Sequence, residues 1–200
     1  MQRIFYRFVI LIFTVIFKIF GLNFVNIENG KQKGPYIVAA NHVSNWDPIF
    51  VAMAIKSPVH FMSKVELFHV PVLGSLVRYL YAFPIERGKA DRKAIRTALS
   101  LLQTGEVVGM FPEGVRNKGG EEIKAHAGVA LLALKTGVPV LPIACVGTDS
   151  IFPVGWFRTL KVEMGDFIYP DSVSADQTGP ARLETFSDAI MQQIHNLKQR

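Results

Sequence analysis

The chain has 200 residues, half of them apolar, which allows one domain with a substantial core and leaves little room for a second. Its lone cysteine, Cys145 in the apolar run Leu141 to Val146, excludes an internal disulfide framework and a multi-cysteine zinc site and reads as a buried small hydrophobe. Only 19% of residues are charged, yet the net charge is +6, so the chain carries excess apolar surface and fits an anionic partner such as nucleic acid, lipid headgroups or a phosphorylated substrate.

The first element is an apolar stretch from Ile4 to Phe20. Between Phe8 and Phe17 only Thr14 is not strongly apolar, so a helix here has no polar face and must be covered by protein or lipid. Arg3, Arg7 and Lys18 flank or interrupt it, and no acidic residue precedes Glu28. A helix of this length reaches roughly 25 Å, short of a comfortable bilayer span. A cleaved signal peptide would need a small-residue cleavage site, which Lys18 to Leu22 does not offer. A core helix and a helix lodged in one leaflet remain, and the second accounts for both the apolar excess and the local positive charge.

From residue 21 onward strands and helices alternate. Pro35 to Ala40 predicts a buried strand running into Asn41-His42, and Ile49 to Ile55 a helix. Val59 to Met62 and Ala82 to Ile85 predict short strands, and Ala90 to Leu102 an amphipathic helix with Ile95, Ala98, Leu99 and Leu102 on one face. Val107 to Phe111 predicts another strand, and Lys124 to Thr136 a helix stopped by Gly137. Val138 to Val146 predicts a strand that tolerates Pro139 and Pro142 only near a sheet edge or irregularity. Lys161 to Ile168 predicts one more strand, before a closing helix with Leu183, Phe186, Ile190, Ile194 and Leu197 on its apolar face. The alternation predicts a single α/β domain over residues 26–200, with a mixed, largely parallel central sheet flanked by helices, preceded by a membrane-associating helical segment over residues 1–25.

The segment Asn41-His42-Val43-Ser44-Asn45-Trp46-Asp47-Pro48 follows a buried strand, where α/β proteins place functional loops. A hydroxyl becomes a good nucleophile only as a base removes its proton, and histidine titrates near the working pH. A carboxylate on the other ring nitrogen orients such a base and stabilises the imidazolium. Asp47 lies five positions after His42, so the loop must curl for the two to meet. Pro48 also makes Asp47 a natural N-cap of the following helix, and His42 could simply bond within the loop; the spacing alone admits either reading. Phe111-Pro112-Glu113-Gly114-Val115-Arg116-Asn117 likewise follows a strand, and Arg116 offers a planar fork suited to phosphate, although an ordinary polar turn has the same composition. In Phe83-Pro84-Ile85-Glu86-Arg87, Arg87 stands at a strand end, where it could join Arg116.

Rival machinery is missing. The chain contains no G-x-S-x-G elbow, P-loop or dinucleotide fingerprint, no metal-ligand spacing among its five histidines, and no nucleic-acid module signature.

Taken together, these segments resemble the glycerolipid acyltransferase family, most closely the 1-acylglycerol-3-phosphate acyltransferases. The family's N-H-x-x-x-x-D block is matched by Asn41-His42…Asp47, its F-x-x-R block by the stretch ending in Arg87, its F-P-E-G-T-R-S block by Phe111 to Asn117, and its V-P-V-x-P-V strand by Val138 to Ile143. A further K-x-x-L-F-x-x-P-x-x-G stretch is matched by Lys64, Leu67, Phe68, Pro71 and Gly74, and the blocks keep the family order over residues 36–146. The resemblance implies His42 as general base on an acceptor hydroxyl and Asp47 as its orienting carboxylate. It implies that Arg87 and Arg116 hold the acceptor phosphate and that Glu113 and Gly114 shape that pocket, with Lys64 and Lys124 as further substrate-binding candidates. Val115 and Asn117 replace the family's threonine and serine, which removes any role for a hydroxyl at the first position.

The implied reaction moves an acyl group from acyl-CoA or acyl carrier protein to the sn-2 hydroxyl of 1-acylglycerol-3-phosphate, giving phosphatidic acid, with no cofactor, metal or acyl-enzyme intermediate. The implied partners are the lysophospholipid, the acyl donor and an anionic membrane surface, with no nucleic acid. The expected location is the cytoplasmic face of the cell membrane, monotopic or peripheral. Another lysophospholipid or lipid-linked acceptor, thioester hydrolysis with His42 activating water, and a non-catalytic lipid-binding role are the alternatives.

Overall fold

A computed structural model describes residues 1–86, 91–117, 126–150, 160–173 and 178–200. The strands are β1 (Leu22–Val25), β2 (Tyr36–Ala40), β3 (Val59–Lys64), β4 (Phe83–Ile85), β5 (Val107–Met110), β6 (Val140–Val146) and β7 (Leu160–Met164). The helices are α1 (Gln2–Ile19), α2 (Asp47–Ala54), α3 (Leu73–Tyr79), α4 (Arg92–Gln103), α5 (Gly128–Thr136) and α6 (Gly179–Gln199).

The seven strands form one sheet in the order β1-β7-β6-β2-β5-β3-β4. β6, β2, β5, β3 and β4 are mutually parallel; β7 runs antiparallel to β6 and β1 follows β7. The expected mixed, largely parallel sheet is therefore present. Every residue of β2 is buried, as a strand covered on both faces must be. Alternate residues feed two cores. Tyr36, Val38, Leu141, Ile143 and Val162 pack beneath α1 and α2, whereas Ile37, Ala39, Val108 and Val140 pack beneath α4, α5 and α6.

Several boundaries differ from those expected, each for a local reason. The Asp91 carboxylate accepts the amides of Lys93 and Ala94 at 3.0 and 2.9 Å, so α4 begins at Arg92; the expected start at Ala90 lies outside the described residues. The expected strand over 161–168 ends at Met164, and only Ile168 returns, in a single bridge to Val140. Pro142 lies in that gap: β6 is an interior strand, and its proline sits where the pairing with β7 is interrupted, which is the irregularity its missing N–H requires. Gly137 stops α5 with φ of 71°. β1, α3 and a 3-10 turn over Val65–His69 were not expected. With β1 as an edge strand, residues up to Val25 contribute both a helix and a sheet strand.

α1 is divided along its length. Tyr6, Ile10, Phe13 and Phe17, at helical spacing, pack onto the domain; Phe17 meets Phe50 edge-on at 4.8 Å, and the Tyr6 hydroxyl accepts the Val59 amide. Ile4, Phe8, Leu11, Val15 and Ile19 face outward. The core helix and the uncovered apolar helix are thus two faces of one element. No described helix is long and apolar enough to cross a membrane.

Gly109 in β5 makes room for the Phe61 ring. A Cβ there would come within 2.5 Å of two ring carbons, and Phe61 itself stacks on Phe111 at 5.6 Å. Gly109→Ala is expected to overpack this site by about 1–3 kcal/mol. The corresponding fall in melting temperature is roughly 3–10 °C, measured by calorimetry.

Candidate active site

The carboxyl ends of β2, β5 and β6 lie side by side because β2 pairs with both of the others. Open α/β sheets bind ligands at such an edge. After β2 the chain cannot continue its ladder, and Asn41 takes over that task with its side chain. Its amide donates to the Cys145 carbonyl at 2.9 Å and accepts the Cys145 amide at 2.7 Å, which extends the β2–β6 pairing by one step. Cys145 is buried there, as expected, and burial pushes its thiol well above the usual range.

His42 and Asp47 are together. His42 Nδ1 is 2.9 Å from Asp47 Oδ2, and both residues are buried. The same carboxylate oxygen accepts the backbone amides of Val43 and Ser44, each at 2.7 Å, and Thr148 donates its hydroxyl to the other oxygen. Four donors therefore converge on one acceptor-only group. The expected N-cap role is corrected: Asp47 is the first residue of α2, Trp46 occupies the cap position, and the carboxylate bonds backward into the 42–44 loop. With Nδ1–H donated to Asp47, Nε2 is the ring nitrogen left to act as a base, and no described residue bonds it.

The Phe111–Asn117 turn clasps the histidine backbone. The His42 amide donates to Glu113 Oε2 at 3.4 Å, and the His42 carbonyl accepts the Asn117 amide at 2.7 Å. The Phe111 ring stacks on the imidazole at 4.1 Å and 18°, so Phe61, Phe111 and His42 form a column of three rings. Gly114 has φ of 67°, and a Cβ there would press within 2.5 Å of the His126 ring, so the turn requires glycine twice over. Glu113 is buried, and that burial raises its carboxyl above the ordinary range despite the opposing pull of the His42 amide.

The expected substrate-binding residues fall into two groups. Glu113 and Gly114 belong to the clasp, and Arg116, in the same turn, is exposed. Lys64 is exposed at the end of β3, where it pairs with Ile85. Arg87 and Lys124 lie outside the described residues. Thr148 and the Phe111 ring had no assigned role in the sequence reading; a hydroxyl two positions beyond a strand end was the only available signal for Thr148. Among the described residues no three His, Cys, Asp or Glu side chains come together as a metal-ligand cluster.

The raised Glu113 carboxyl has a direct consequence for stability. A group held above its unfolded value stabilises the fold at low pH, and that contribution is lost as pH rises through the folded value. Glu113→Gln keeps an acceptor for the His42 amide and removes the buried charge. It is expected to raise the melting temperature at neutral pH, with the gain vanishing at pH values below the ordinary glutamate range; melting curves at both pH values check this.

The family model described as acyltransferase matches residues 21–146. The 1-acyl-sn-glycerol-3-phosphate acyltransferase of Bacillus subtilis (strain 168) is 29% identical over 185 residues, covering 90% of this chain and 89% of that protein. The chloroplastic 1-acyl-sn-glycerol-3-phosphate acyltransferase LPAT1 of Arabidopsis thaliana is 30% identical over 143 residues, which are 70% of this chain but only 40% of that protein. The crystal structure of the 1-acyl-sn-glycerophosphate (LPA) acyltransferase PlsC from Thermotoga maritima matches with a TM-score of 0.69 at 27% identity, covering 90% of this chain and 73% of that one. The family match runs from the start of β1 through β6 and so contains the His42–Asp47 pair and its clasp: the chain belongs to the acyltransferase family.

Proposed function

We propose that this acyltransferase moves an acyl group from an acyl thioester, on CoA or acyl carrier protein, to the sn-2 hydroxyl of 1-acyl-sn-glycerol-3-phosphate. The observation that carries the chemistry is the buried His42–Asp47 bond of 2.9 Å with Nε2 left unbonded by any described residue. The names of the relatives support this acceptor, as does the exposed cationic Arg116 in the clasp.

In this reading Nε2 of His42 takes the proton of the acceptor hydroxyl as its oxygen bonds to the thioester carbonyl carbon. Asp47 stabilises the imidazolium that results. The tetrahedral intermediate collapses with cleavage of the C–S bond, and the leaving sulfur receives the proton back from Nε2. Arg116, with Arg87, binds the acceptor phosphate; Lys64 and Lys124 serve as secondary contacts to anionic substrate groups. Glu113 and Gly114 hold the turn that positions the phosphate beside the base.

The outward stripe of α1 supplies attachment to one leaflet, with Arg3, Arg7 and Lys18 at the headgroups. Removing residues 1–20 would also remove Tyr6 and Phe17 from the core, so the stripe must be tested by point changes. Phe8→Asp, Leu11→Asp and Val15→Asp together are expected to lower partitioning onto phosphatidylglycerol vesicles by roughly 10²-fold or more, since each loses a lipid-buried apolar side chain. Their melting temperature should stay near that of the parent.

Transfer of radiolabelled acyl chains from acyl-CoA and from acyl carrier protein across a panel of lysolipids tests the reaction. Thiol release that proceeds equally without lysolipid would convert the reading to hydrolysis. His42→Ala is expected to lose about 10²-fold or more in kcat. Asp47→Asn can keep its neighbours bonded, because the Thr148 hydroxyl can turn to accept from the new amide. It should therefore stay folded while losing roughly 10²–10⁴-fold in kcat through the lost charge. Thr148→Val should cost about tenfold, the scale expected when an orienting group's own partner is removed.

A further inference from the structure

The 3-10 turn Val65–His69 and α3 form a compact hairpin whose tip is apolar and exposed. Val70, Val72 and Leu73 project there, and Val72 is 84% exposed. Val72 has φ of 64° and ψ of −55°, and the Leu73 amide closes a tight γ-turn onto the Pro71 carbonyl at 2.7 Å. A β-branched residue in this region is a genuine outlier, and this turn type is rare and strained. Strain of this kind persists only where the surroundings enforce it.

The surroundings do so here. Gly74 is buried against the Phe68 backbone, where a Cβ would lie 2.4 Å from the carbonyl oxygen. Arg78 donates to that same carbonyl at 3.2 Å, and its guanidinium lies over the Phe68 ring at 5.4 Å. The base of the hairpin is pinned by a glycine, an arginine and an aromatic ring, and its result is a valine held out into solvent. A tip shaped only by local preference would carry glycine or asparagine at such a φ.

The hairpin is also continuous with α1. Leu73, Leu76 and Tyr79 occupy one stripe of α3 at spacing of three, all exposed. Tyr79 ends the stripe by meeting Phe5 of α1 edge-on at 5.4 Å, and Gln2 donates to the Arg78 carbonyl at 3.1 Å. The exposed charges on the two elements are Arg3, Arg7, Lys18 and Arg78, with Glu66 as the one carboxylate, and Lys64 follows at the adjoining end of β3. A greasy surface bordered by cations matches an anionic leaflet and not an acidic-and-basic protein face.

We propose that the Val70–Tyr79 hairpin is a second lipid-inserting element, which together with α1 holds the protein on an anionic leaflet at two points. This rests on the attachment of α1 proposed above. A surface drawn from two elements fixes orientation as well as proximity, whereas a protein held along one helix alone can roll about that helix's axis.

The test uses the full chain, whose native Cys145 is buried. Val72→Cys, Phe8→Cys and, on α4 away from both elements, Gln103→Cys are labelled with an environment-sensitive fluorophore and added to phosphatidylglycerol vesicles carrying an acyl-chain spin label. The expected result is strong quenching at positions 72 and 8, to less than half of the unquenched emission, and none at 103. Quenching at 8 with position 72 matching 103 would overturn the second insertion point and leave the α1 attachment standing. No quenching at either would overturn both. A concentration-dependent blue shift at 72 without vesicles would assign the tip to a second copy of the chain instead. As an independent measure, Val72→Asp with Leu76→Asp is expected to lower vesicle partitioning about tenfold or more, with an unchanged melting temperature; partitioning equal to that of the parent would overturn the proposal.

Discussion

The Asp47 carboxylate gathers donors from three places in the chain: the imidazole of His42, the two amides that follow it, and the hydroxyl of Thr148 beyond β6. A buried carboxylate without partners would be costly, and one with four is an organising centre. It closes the 42–47 loop, ties β6 to that loop and fixes which nitrogen of His42 carries the proton. The remainder of the site is arranged around that fixed histidine. Asn41 holds the loop's near end to β6, and the Phe111–Asn117 turn grips the His42 backbone by its N–H and C=O.

Behind this arrangement stands the order of the strands. β2 is flanked by β5 and β6, so three loops that are far apart in sequence emerge together. The ring column continues the same logic into the core. Gly109 admits Phe61, Phe61 supports Phe111, and Phe111 covers His42. Packing in the hydrophobic interior and the position of the His42 ring are thereby one mechanical unit, because close-packed interiors transmit displacement.

Glu113 shows the tension between stability and chemistry. Its burial works against its charge, and it bonds the histidine amide only at 3.4 Å. A buried acid beside a base, in a turn that also needs a positive-φ glycine, is the pattern of a site shaped for a ligand more than for the fold. The apolar exposure of α1 and of the α3 hairpin has the same character. Both are surfaces that a chain folding only for itself would cover.

Much was legible from the residues alone. Periodicity located the buried strands β2 and β6 and the amphipathic helices α4 and α6, and the ordered blocks from Asn41 to Ile143 carried the resemblance to the acyltransferase family. Those signals are local, since each depends on spacing within one segment. The division of α1 was not legible, because a helix apolar all round looks the same whether one stripe or none meets protein. The reach of Asp47 was legible only in part: its meeting with His42 was expected, whereas its bonds to the Val43 and Ser44 amides and to Thr148 depend on how the loop curls. β1 and α3 lack a strong period and are held by contacts made elsewhere, β1 by β7 and α3 by Phe68. Thr148 acquires its role only when β6 lies beside β2. Spacing and side-chain chemistry, which are written along the chain, were enough to mark most of the elements and to single out His42 and Asp47 as a pair. The tertiary structure alone decided the partners of that carboxylate and the surfaces left uncovered, because those depend on which distant strands become neighbours.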